Sequence, residues 1–354
     1  MVQTEFLVLG QGISGTWLTY WLKKAGRQFL VIDESDPTSS SRVAAGVINP
    51  VTGRRYAITW MADTLLPFAE KVYKQFGKEL SITAISAKRI IDFFPSAQMR
   101  LAFIERIEET PYLKLPADEN EFSRYVHFEL GCGEISPSFT VHLKELLSSW
   151  REKISRDGFL RQEKFDPTLL EFSGDEIIYK DITARYIVYC DGYRGMDHPW
   201  FNKIPFAPNK GEAILAEIPD LPADAIYKKG LSIVPLGQQG LFWIGASYEW
   251  DYDHADPTPD FRNRTDDFLK DFLKMPYRIV DHQAAIRPAS LERRPFVGLH
   301  PRHPNVGILN GMGTKGCSLA PYFAKQLCDL ILEQKPVEPL ADIKRFKNLL
   351  LLSG

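Results

Sequence analysis

Cysteine is scarce in this sequence of 354 residues, which contains only Cys132, Cys190, Cys317 and Cys328. They are scattered and form no Cys-x-x-Cys pair, the spacing on which structural zinc sites commonly depend. A protein stabilised by disulfides would also carry a denser set. We therefore expect reduced thiols, a cytoplasmic location and no metal site.

The sequence also lacks a long apolar run, an N-terminal targeting signal and an excess of one charge. No stretch approaches the roughly 20 apolar residues that span a bilayer. Residues 1–6 lead directly into a strand pattern and not into a basic segment followed by an apolar one. The net charge of −2 gives no global field that would attract nucleic acid or an anionic membrane, although it leaves room for a local basic patch. These features favour a cytoplasmic protein with no membrane partner.

The first 34 residues have the pattern of a complete βαβ unit. The apolar run 6–9 predicts a strand, and residues 16–25 carry apolar side chains at helical spacing before Gly26 ends the helix. Residues 29–32 predict a second buried strand. Because a helix joins the two strands, we expect them to lie parallel.

A Gly-x-Gly-x-x-Gly motif, formed by Gly10, Gly12 and Gly15, connects the first strand to the helix. The first glycine allows a tight turn, the second lets the backbone approach a pyrophosphate, and the third lets the helix pack close to the sheet. Backbone amides near Ile13 and Ser14, together with the positive end of the helix dipole, would meet the phosphate oxygens. The alternative is a glycine-rich turn in an unrelated α/β protein.

An acidic pair follows the second strand, 18 residues after the last glycine. Asp33, or its neighbour Glu34, is placed to accept hydrogen bonds from ribose hydroxyls, and its charge argues against a 2′-phosphate. This unit alone does not separate NAD from FAD. The sequence has one such motif, so it offers no second dinucleotide site through which NADPH would reduce a flavin. That absence favours electrons supplied by the substrate.

Residues 35–53, directly after the acids, predict a polar loop rich in Ser, Gly and Ala, and such a loop of small residues favours the longer cofactor. It would wrap closely along FAD, and its predicted cofactor contacts are Ser41, Arg42, Ala45, Gly46 and Val47.

The rest of the sequence predicts both helices and strands. Helices are predicted at 61–81, 96–110, 140–150, 260–274 and 320–332, and strands at 186–190, 213–218, 231–234, 241–244 and 306–310, with a small antiparallel meander around 176–180. Nucleotide-type signals recur at the start, middle and end of the chain, so the cofactor domain is predicted to be discontinuous. We predict an α/β fold with a Rossmann-like FAD-binding domain (1–55, 130–205 and 285–354) and an α+β substrate domain with an antiparallel sheet (56–129 and 206–284).

These blocks together resemble the D-amino acid oxidase-type superfamily of flavoproteins, especially its glycine oxidase and sarcosine oxidase branch. The resemblance is carried by residues 10–15 with Asp33, 41–46, 187–192, 285–288, 294–298 and 310–321. It covers nearly the whole chain and is specific for the superfamily, not for a substrate. It implies non-covalent FAD, with further cofactor contacts at Phe165, Asp191, Gly192, Gly311, Met312, Gly313, Thr314, Lys315, Gly316 and Cys317.

The glycine loop at 311–316 precedes the last long helix and would be a second helix N-terminus. Reduced flavin carries negative charge near N1 and O2, which backbone amides and a helix dipole stabilise. Lys315 would add a positive charge there, or it is a solvated loop lysine. Proteins similar to glycine oxidase often carry an arginine in this loop, whereas this sequence has Thr314, so its substrate is held differently or is longer.

The resemblance implies that Arg287 binds the substrate carboxylate. A guanidinium donates two parallel hydrogen bonds to a carboxylate and stays charged in a pocket. The alternative is a structural ion pair. Tyr248 follows a strand and is a candidate to wall the substrate amine, although packing is the usual role of such a ring. The expected position of the flavin ring is near 45–47 and 311–317, covered by 213–250.

The implied activity is oxidation of the C–N bond of a small amine or amino acid. Hydride passes to flavin N5, the imine hydrolyses, and O2 or another acceptor reoxidises the flavin. Three alternatives stay open. Residues 311–316 also resemble the FAD domain of the tRNA wobble-uridine modification enzyme, which would make a carboxymethylaminomethyl-uridine in tRNA the substrate. The others are a nicotinamide-dependent dehydrogenase and a flavoprotein without turnover.

Overall fold

The computed structural model describes residues 1–351 and divides into two compact units. The first unit comprises residues 1–42, 144–209 and 286–354, and the second comprises 43–143 and 210–285. Each is therefore assembled from segments that are distant in sequence. The predicted domain bounds and the assignment of a ligand to each domain stay predictions.

The α-helices are amphipathic or largely buried. In chain order they are α1 (Ile13–Lys24), α2 (Ser40–Val43), α3 (Ala62–Leu80), α4 (Ala97–Ile107), α5 (Leu143–Arg156), α6 (Pro259–Phe272), α7 (Gly316–Glu333) and α8 (Lys347–Leu350). None of the helices within residues 1–351 has the length and apolar character needed to cross a membrane.

The strands belong to two large sheets and one small hairpin. In chain order they are β1 (Val2–Leu9), β2 (Phe29–Ile32), β3 (Val47–Ile48), β4 (Val51–Thr52), β5 (Ala57–Ile58), β6 (Ile85–Phe93), β7 (Leu113–Lys114), β8 (Cys132–Val141), β9 (Leu160–Arg161), β10 (Leu170–Ser173), β11 (Glu176–Tyr179), β12 (Ile182–Tyr189), β13 (Asn209–Glu217), β14 (Ala225–Lys229), β15 (Leu231–Pro235), β16 (Leu241–Gly245), β17 (Arg278–Arg287), β18 (Phe296–Leu299) and β19 (Val306–Asn310).

The sheet of the first unit is parallel at its centre. Strand β1 lies between β12 and β2, and β9 extends the sheet beyond β2, all in parallel. Strand β19 pairs in parallel with β12, and β18 and the β10–β11 hairpin add antiparallel edges. The parallel β1–α1–β2 connection confirms the predicted βαβ unit. The carboxyl ends of β1, β2, β12 and β19 meet at one edge of the sheet.

The core of the first unit follows from these apolar runs. Leu7 and Leu9 of β1, Ile32 of β2, Ile187 of β12 and Ile308 of β19 pack in one cluster, each at most 2% exposed. A central parallel strand covered on both faces needs such a continuous apolar run.

The second unit contains a mostly antiparallel sheet. Its strand order is β17-β13-β16-β15-β14-β6-β8-β3, with β7 paired to β8. Along that path β14 and β6 form a parallel pair. Helix α6 packs its buried face, including Phe261 and Leu269, into the cluster formed with Ile214 and Ile244. The predicted combination of an α/β fold and an α+β part with an antiparallel sheet is confirmed.

Two predicted helices had wrong first residues, and one predicted loop contains regular secondary structure. The helix predicted at 140–150 begins at Leu143, because Thr140 and Val141 still belong to β8, where Thr140 pairs with Val47. The helix predicted at 320–332 begins four residues earlier, at Gly316. The segment 35–53 is not a plain loop, since it contains α2, β3 and β4. Cross-strand pairing sets the start of α5, and local periodicity does not report such pairing.

Candidate functional site

The first glycine turn is too tight for side chains at two of its positions. Gly10 has a φ of +93°, and a Cβ there would lie 2.7 Å from the carbonyl oxygen of Cys190. A Cβ on Gly15 would lie 1.9 Å from the carbonyl oxygen of Gly10. At Gly12 the added Cβ would meet Ser41 Oγ at 2.9 Å. The glycines therefore let β1, β12 and α1 approach one another, and Gly12 makes room for the loop at Ser41.

Helix α1 begins at this turn with its first amides directed out of the helix. Gly12 is the N-cap, and the first helical hydrogen bond runs from Thr16 N to Gly12 O at 2.9 Å. Ser41 Oγ accepts a hydrogen bond from Ile13 N at 3.0 Å. The amides of a first turn lack intrahelical partners and bind anions well. The arrangement suits a phosphate group beside Gly12 and Ser41.

The two acids after β2 have different partners. Asp33 Oδ2 accepts from Gln11 N at 2.8 Å, within the glycine turn, and Asp33 Oδ1 accepts from Ser35 N at 2.9 Å. Glu34 forms an ion pair with Arg194. Of the two candidates for the ribose, Asp33 is thus the one held against the glycine turn.

Asp191 and Gly192 follow β12 at the same edge of the sheet. Asn310 Nδ2 donates to the carbonyl oxygen of Gly192 at 2.8 Å, and His198 Nε2 lies 2.5 Å from Asp191 Oδ2. Gly192 has a φ of +65° and open space where a Cβ would point. Asn310 and His198 were missed in the sequence, because contacts across 118 and 7 positions leave no local pattern.

The late glycine loop places a second helix N-terminus beside the first. Gly311 and Gly313 have φ values of +73° and +54°, which glycine adopts without strain. A Cβ on Gly316, the first residue of α7, would lie 3.2 Å from Ile13 Cγ2 of α1. The starts of the two helices are therefore neighbours, and their positive dipole ends meet in one region.

Arg287 lies at the end of β17 on a segment that contacts this loop. The carbonyl oxygen of Pro288 accepts a hydrogen bond from Gly313 N at 3.0 Å. Arg287 is half-buried, and its Nη1 donates to Asn209 Oδ1 at 2.7 Å. The structure thus joins the Arg287 segment and the late glycine loop, which are 24 or more residues apart in sequence.

The remaining predicted residues of the late loop have different exposures. Burial lowers the pKa of the Lys315 ammonium to about 8. Met312 and Cys317 are buried, and burial raises the pKa of the Cys317 thiol to about 12, which makes it inert at neutral pH. Thr314 is exposed. Lys315 is therefore not a simple solvated loop lysine.

Several other predicted site residues have contacts within their own unit. The Phe165 ring packs on Tyr179 with centroids 4.9 Å apart, which gives its side chain a core role. In the second unit, Gly46 has a φ of +77°, and an added Cβ would lie 2.1 Å from Val141 O. Tyr248 is 55% exposed. The cofactor roles of Phe165 and of residues 45–47, the role of Tyr248 and the expected covering of the ring by 213–250 stay predictions.

Comparisons with known proteins agree on one family. The family model described as FAD dependent oxidoreductase (DAO) matches residues 5–330. The chain is 24% identical to the glycine oxidase of Bacillus subtilis (strain 168), over 94% of each chain. It is 22% identical to the tRNA 5-methylaminomethyl-2-thiouridine biosynthesis bifunctional protein MnmC of Marinobacter nauticus, over 93% of this chain and 55% of that protein.

Solved structures show the same fold. The crystal structure of glycine oxidase from Geobacillus kaustophilus matches with a TM-score of 0.78 at 16% identity, covering 95% of this chain and 96% of that chain. The family match spans far more than half of the sequence and gives FAD, not a nicotinamide cofactor, as the cofactor of the family. The chain belongs to the FAD dependent oxidoreductase family and resembles its glycine oxidase branch.

Proposed function

We propose that this enzyme oxidises the C–N bond of a small amine that carries a carboxylate, most simply an amino acid. One observation carries this choice of substrate: the Arg287 segment is hydrogen-bonded to the late glycine loop through Pro288 and Gly313. This backbone contact supports a position for Arg287 near the loop that leads into the second helix N-terminus. Amino acid oxidation as a general activity is supported at the family level.

The residues of the first unit fit a flavin dinucleotide. Two adjoining helix N-termini, at Gly12 and Gly316, match a cofactor that carries negative charge at its pyrophosphate and, once reduced, at its flavin. Asp33 lies where an acceptor for ribose hydroxyls is needed. When bound, FAD supplies the two-electron acceptor for the oxidation. We assign the pyrophosphate to Gly12, Ile13 and Ser41, and the flavin end to residues 311–317.

Substrate recognition then depends on charge and orientation. Asn209 accepts from Arg287 Nη1 at 2.7 Å. Arginine binds a carboxylate best in a two-pronged geometry, with two parallel hydrogen bonds from one guanidinium. Lys315 adds a second cation, and Thr314 leaves the loop without the arginine expected in glycine oxidase-like proteins. Holding the substrate in one pose beside the cofactor is the main contribution that the protein makes to the rate.

An anaerobic screen of the flavin-loaded protein tests this proposal. Amino acids, N-methylated amino acids and amines without a carboxylate are mixed with the protein, and loss of the flavin absorbance is recorded. We expect at least one carboxylate-bearing amine to bleach the flavin and its decarboxylated analogue to bleach it far less. If only amines without a carboxylate bleach it, the assignment of Arg287 is wrong.

The same screen distinguishes a free amino acid substrate from a modified nucleoside in tRNA. The similarity to MnmC favours a carboxymethylaminomethyl-uridine as the second candidate substrate. That nucleoside and a tRNA that contains it form a further arm. Bleaching by the modified tRNA, with no response to any free amino acid, would replace the proposed substrate class with the second one.

Lys315 predicts a pH dependence of carboxylate binding. Its pKa is lowered to about 8, so the ammonium is present below that pH and is lost as the pH rises through it. Acetate, which has no amine to titrate, should therefore bind the oxidised protein more weakly above pH 8, as measured by the change in flavin absorbance. In Lys315→Met that pH-dependent loss should disappear, with weak binding throughout.

The matched control is Lys325→Met, which removes a lysine from α7, the helix that Lys315 precedes; Lys325 pairs there with Asp329. It should keep the wild-type pH profile. A Lys315→Met variant that also keeps the wild-type profile would mean that another group titrates.

A further inference from the structure

Three acids follow β2, and two arginines from distant parts of the first unit hold them. Arg151, on α5, pairs with Asp33 at 2.5 Å. Arg194, in the turn after β12, pairs with Glu34 and lies 3.5 Å from Asp36. The cluster is too well partnered to be an ordinary solvated acidic turn. It also lies at the end of the sheet where the glycine motif lies.

The contacts of Arg151 converge on Asp33. Its Nη1 reaches Asp33 Oδ1 at 2.5 Å and Gln11 Oε1 at 3.3 Å, and its Nη2 donates to the carbonyl oxygen of Asp33 at 3.3 Å. The Arg151 side chain is 13% exposed and the Asp33 side chain 16%. One guanidinium therefore holds both the side chain and the main chain of Asp33 in a largely buried pair.

Gln11, the second residue of the glycine motif, completes the network. Its side chain is buried, and Nε2 donates to Thr16 Oγ1 at 3.0 Å and to the carbonyl oxygen of Leu147 at 3.1 Å. Its backbone amide donates to Asp33 Oδ2. Leu147 precedes Arg151 by one turn of α5. The glycine turn, Asp33 and α5 thus form one hydrogen-bonded network.

The protein's own donors occupy three of the hydrogen-bond acceptor positions of the Asp33 carboxylate. A carboxylate has about four lone-pair sites. Oδ1 accepts from Ser35 N and Arg151, and Oδ2 accepts from Gln11 N. One position on Oδ2 remains, on the oxygen that faces the glycine turn. The three protein donors fix the carboxylate so that a single acceptor is presented there.

We propose that Arg151 is a positioning residue for FAD: it fixes Asp33 so that Oδ2 accepts a hydroxyl of the adenosine ribose. Its charge also offsets the repulsion between the Asp33 carboxylate and the pyrophosphate. This inference rests on the proposed placement of the ribose at Asp33. A lysine would keep the charge but lose the forked contact to Oδ1 and the carbonyl oxygen.

The test compares FAD with FMN, which lacks the adenosine. Apo-protein of the wild type, Arg151→Met and Arg151→Lys is titrated with each flavin, and the dissociation constant is measured by fluorescence. Arg151→Met should weaken FAD binding roughly tenfold or more, the effect of losing a charge-assisted hydrogen bond. FMN binding should stay within about twofold, and Arg151→Lys should lie between the two.

A matched control removes an arginine–aspartate pair elsewhere in the first unit. Arg161→Met breaks the pair with Asp181, and it should change neither flavin's affinity. Equal weakening of FAD and FMN in Arg151→Met, with a lowered melting temperature, would assign Arg151 a purely structural role. Unchanged FAD affinity would also overturn the inference.

The variant Asp33→Asn tests the proposed placement of the ribose at Asp33 independently of the role of Arg151. If that variant binds FAD as the wild type does, the ribose does not lie at Asp33, and the role of Arg151 falls with it. If Asp33→Asn weakens FAD binding but not FMN binding, while Arg151→Met changes neither, the ribose lies at Asp33 and only the inference about Arg151 is wrong.

Discussion

Replacing Arg287 with alanine should leave the protein yellow while raising, by tens-fold or more, the concentration of amino acid needed to reduce its flavin. Loss of one partner of a buried, charge-paired contact costs roughly 2–5 kcal/mol. Arg287→Lys keeps the charge but loses the two-pronged contact, so its loss should be smaller. Half-saturating substrate concentrations from anaerobic stopped-flow reduction measure both effects.

Two controls show whether the effect belongs to the carboxylate. An amine without a carboxylate should reduce the flavin of Arg287→Ala nearly as well as it reduces the flavin of the wild type. Arg302→Ala removes an exposed arginine of the same unit and should have no effect. If Arg287→Ala reduces its flavin with amino acids as readily as the wild type, Arg287 serves structure through Asn209 and the substrate proposal loses its main support.

Gly12→Val should yield colourless protein. A Cβ at this position would lie 2.9 Å from Ser41 Oγ, and the branched side chain would fill the approach to the amides at the start of α1. The pyrophosphate would then lose its contact with the backbone, and FAD would not be retained. The ratio of flavin absorbance to protein absorbance after purification measures the loss directly, with circular dichroism to verify the fold.

A second variant separates two effects of Gly12→Val: its steric clash with Ser41 and its obstruction of the pyrophosphate. Ser41→Gly removes the atoms that a Cβ on Gly12 would meet. The double variant Gly12→Val/Ser41→Gly should remain colourless, because the valine side chain still occupies the proposed phosphate position. Ser41→Gly alone should lose only part of its flavin, because the backbone amides at the start of α1 remain to bind the pyrophosphate. Full FAD occupancy in Gly12→Val would show that the pyrophosphate binds elsewhere.

The parts of the fold that depend on local sequence were predictable. The strand 6–9, the glycine turn, the helix and the strand 29–32 lie within 34 residues, and each has a period or a turn residue that reports its structure. The strand 306–310 and the glycine loop after it were recognisable for the same reason. The order of the sheet was not, because β1 lies between β12 and β2 through pairing over about 180 positions.

The candidate site likewise contains residues that could be predicted from local sequence and contacts that could not. Gly10, Gly15, Gly311 and Gly313 are identified by their backbone requirements, which sequence spacing conveys. The one distant side chain that orients Asp33 is Arg151 of α5, 118 positions away, and single arginines on amphipathic helices are usually solvated. The contact between Pro288 and Gly313 is a backbone hydrogen bond, which no residue type encodes. Distance in sequence therefore decided which functional contacts were missed.

The three-segment construction of the first unit has a consequence for biogenesis. During synthesis, residues 43–143 and 210–285 are both complete while β18, β19 and α7 have yet to be made. Pairing between β12 and β19 closes a loop of about 115 residues, a long-range contact of the kind that slows folding. A flavin site that includes the start of α7 at Gly316 is therefore completed only after residues 1–316 have been synthesised, long after the segment that carries the first glycine motif has been made.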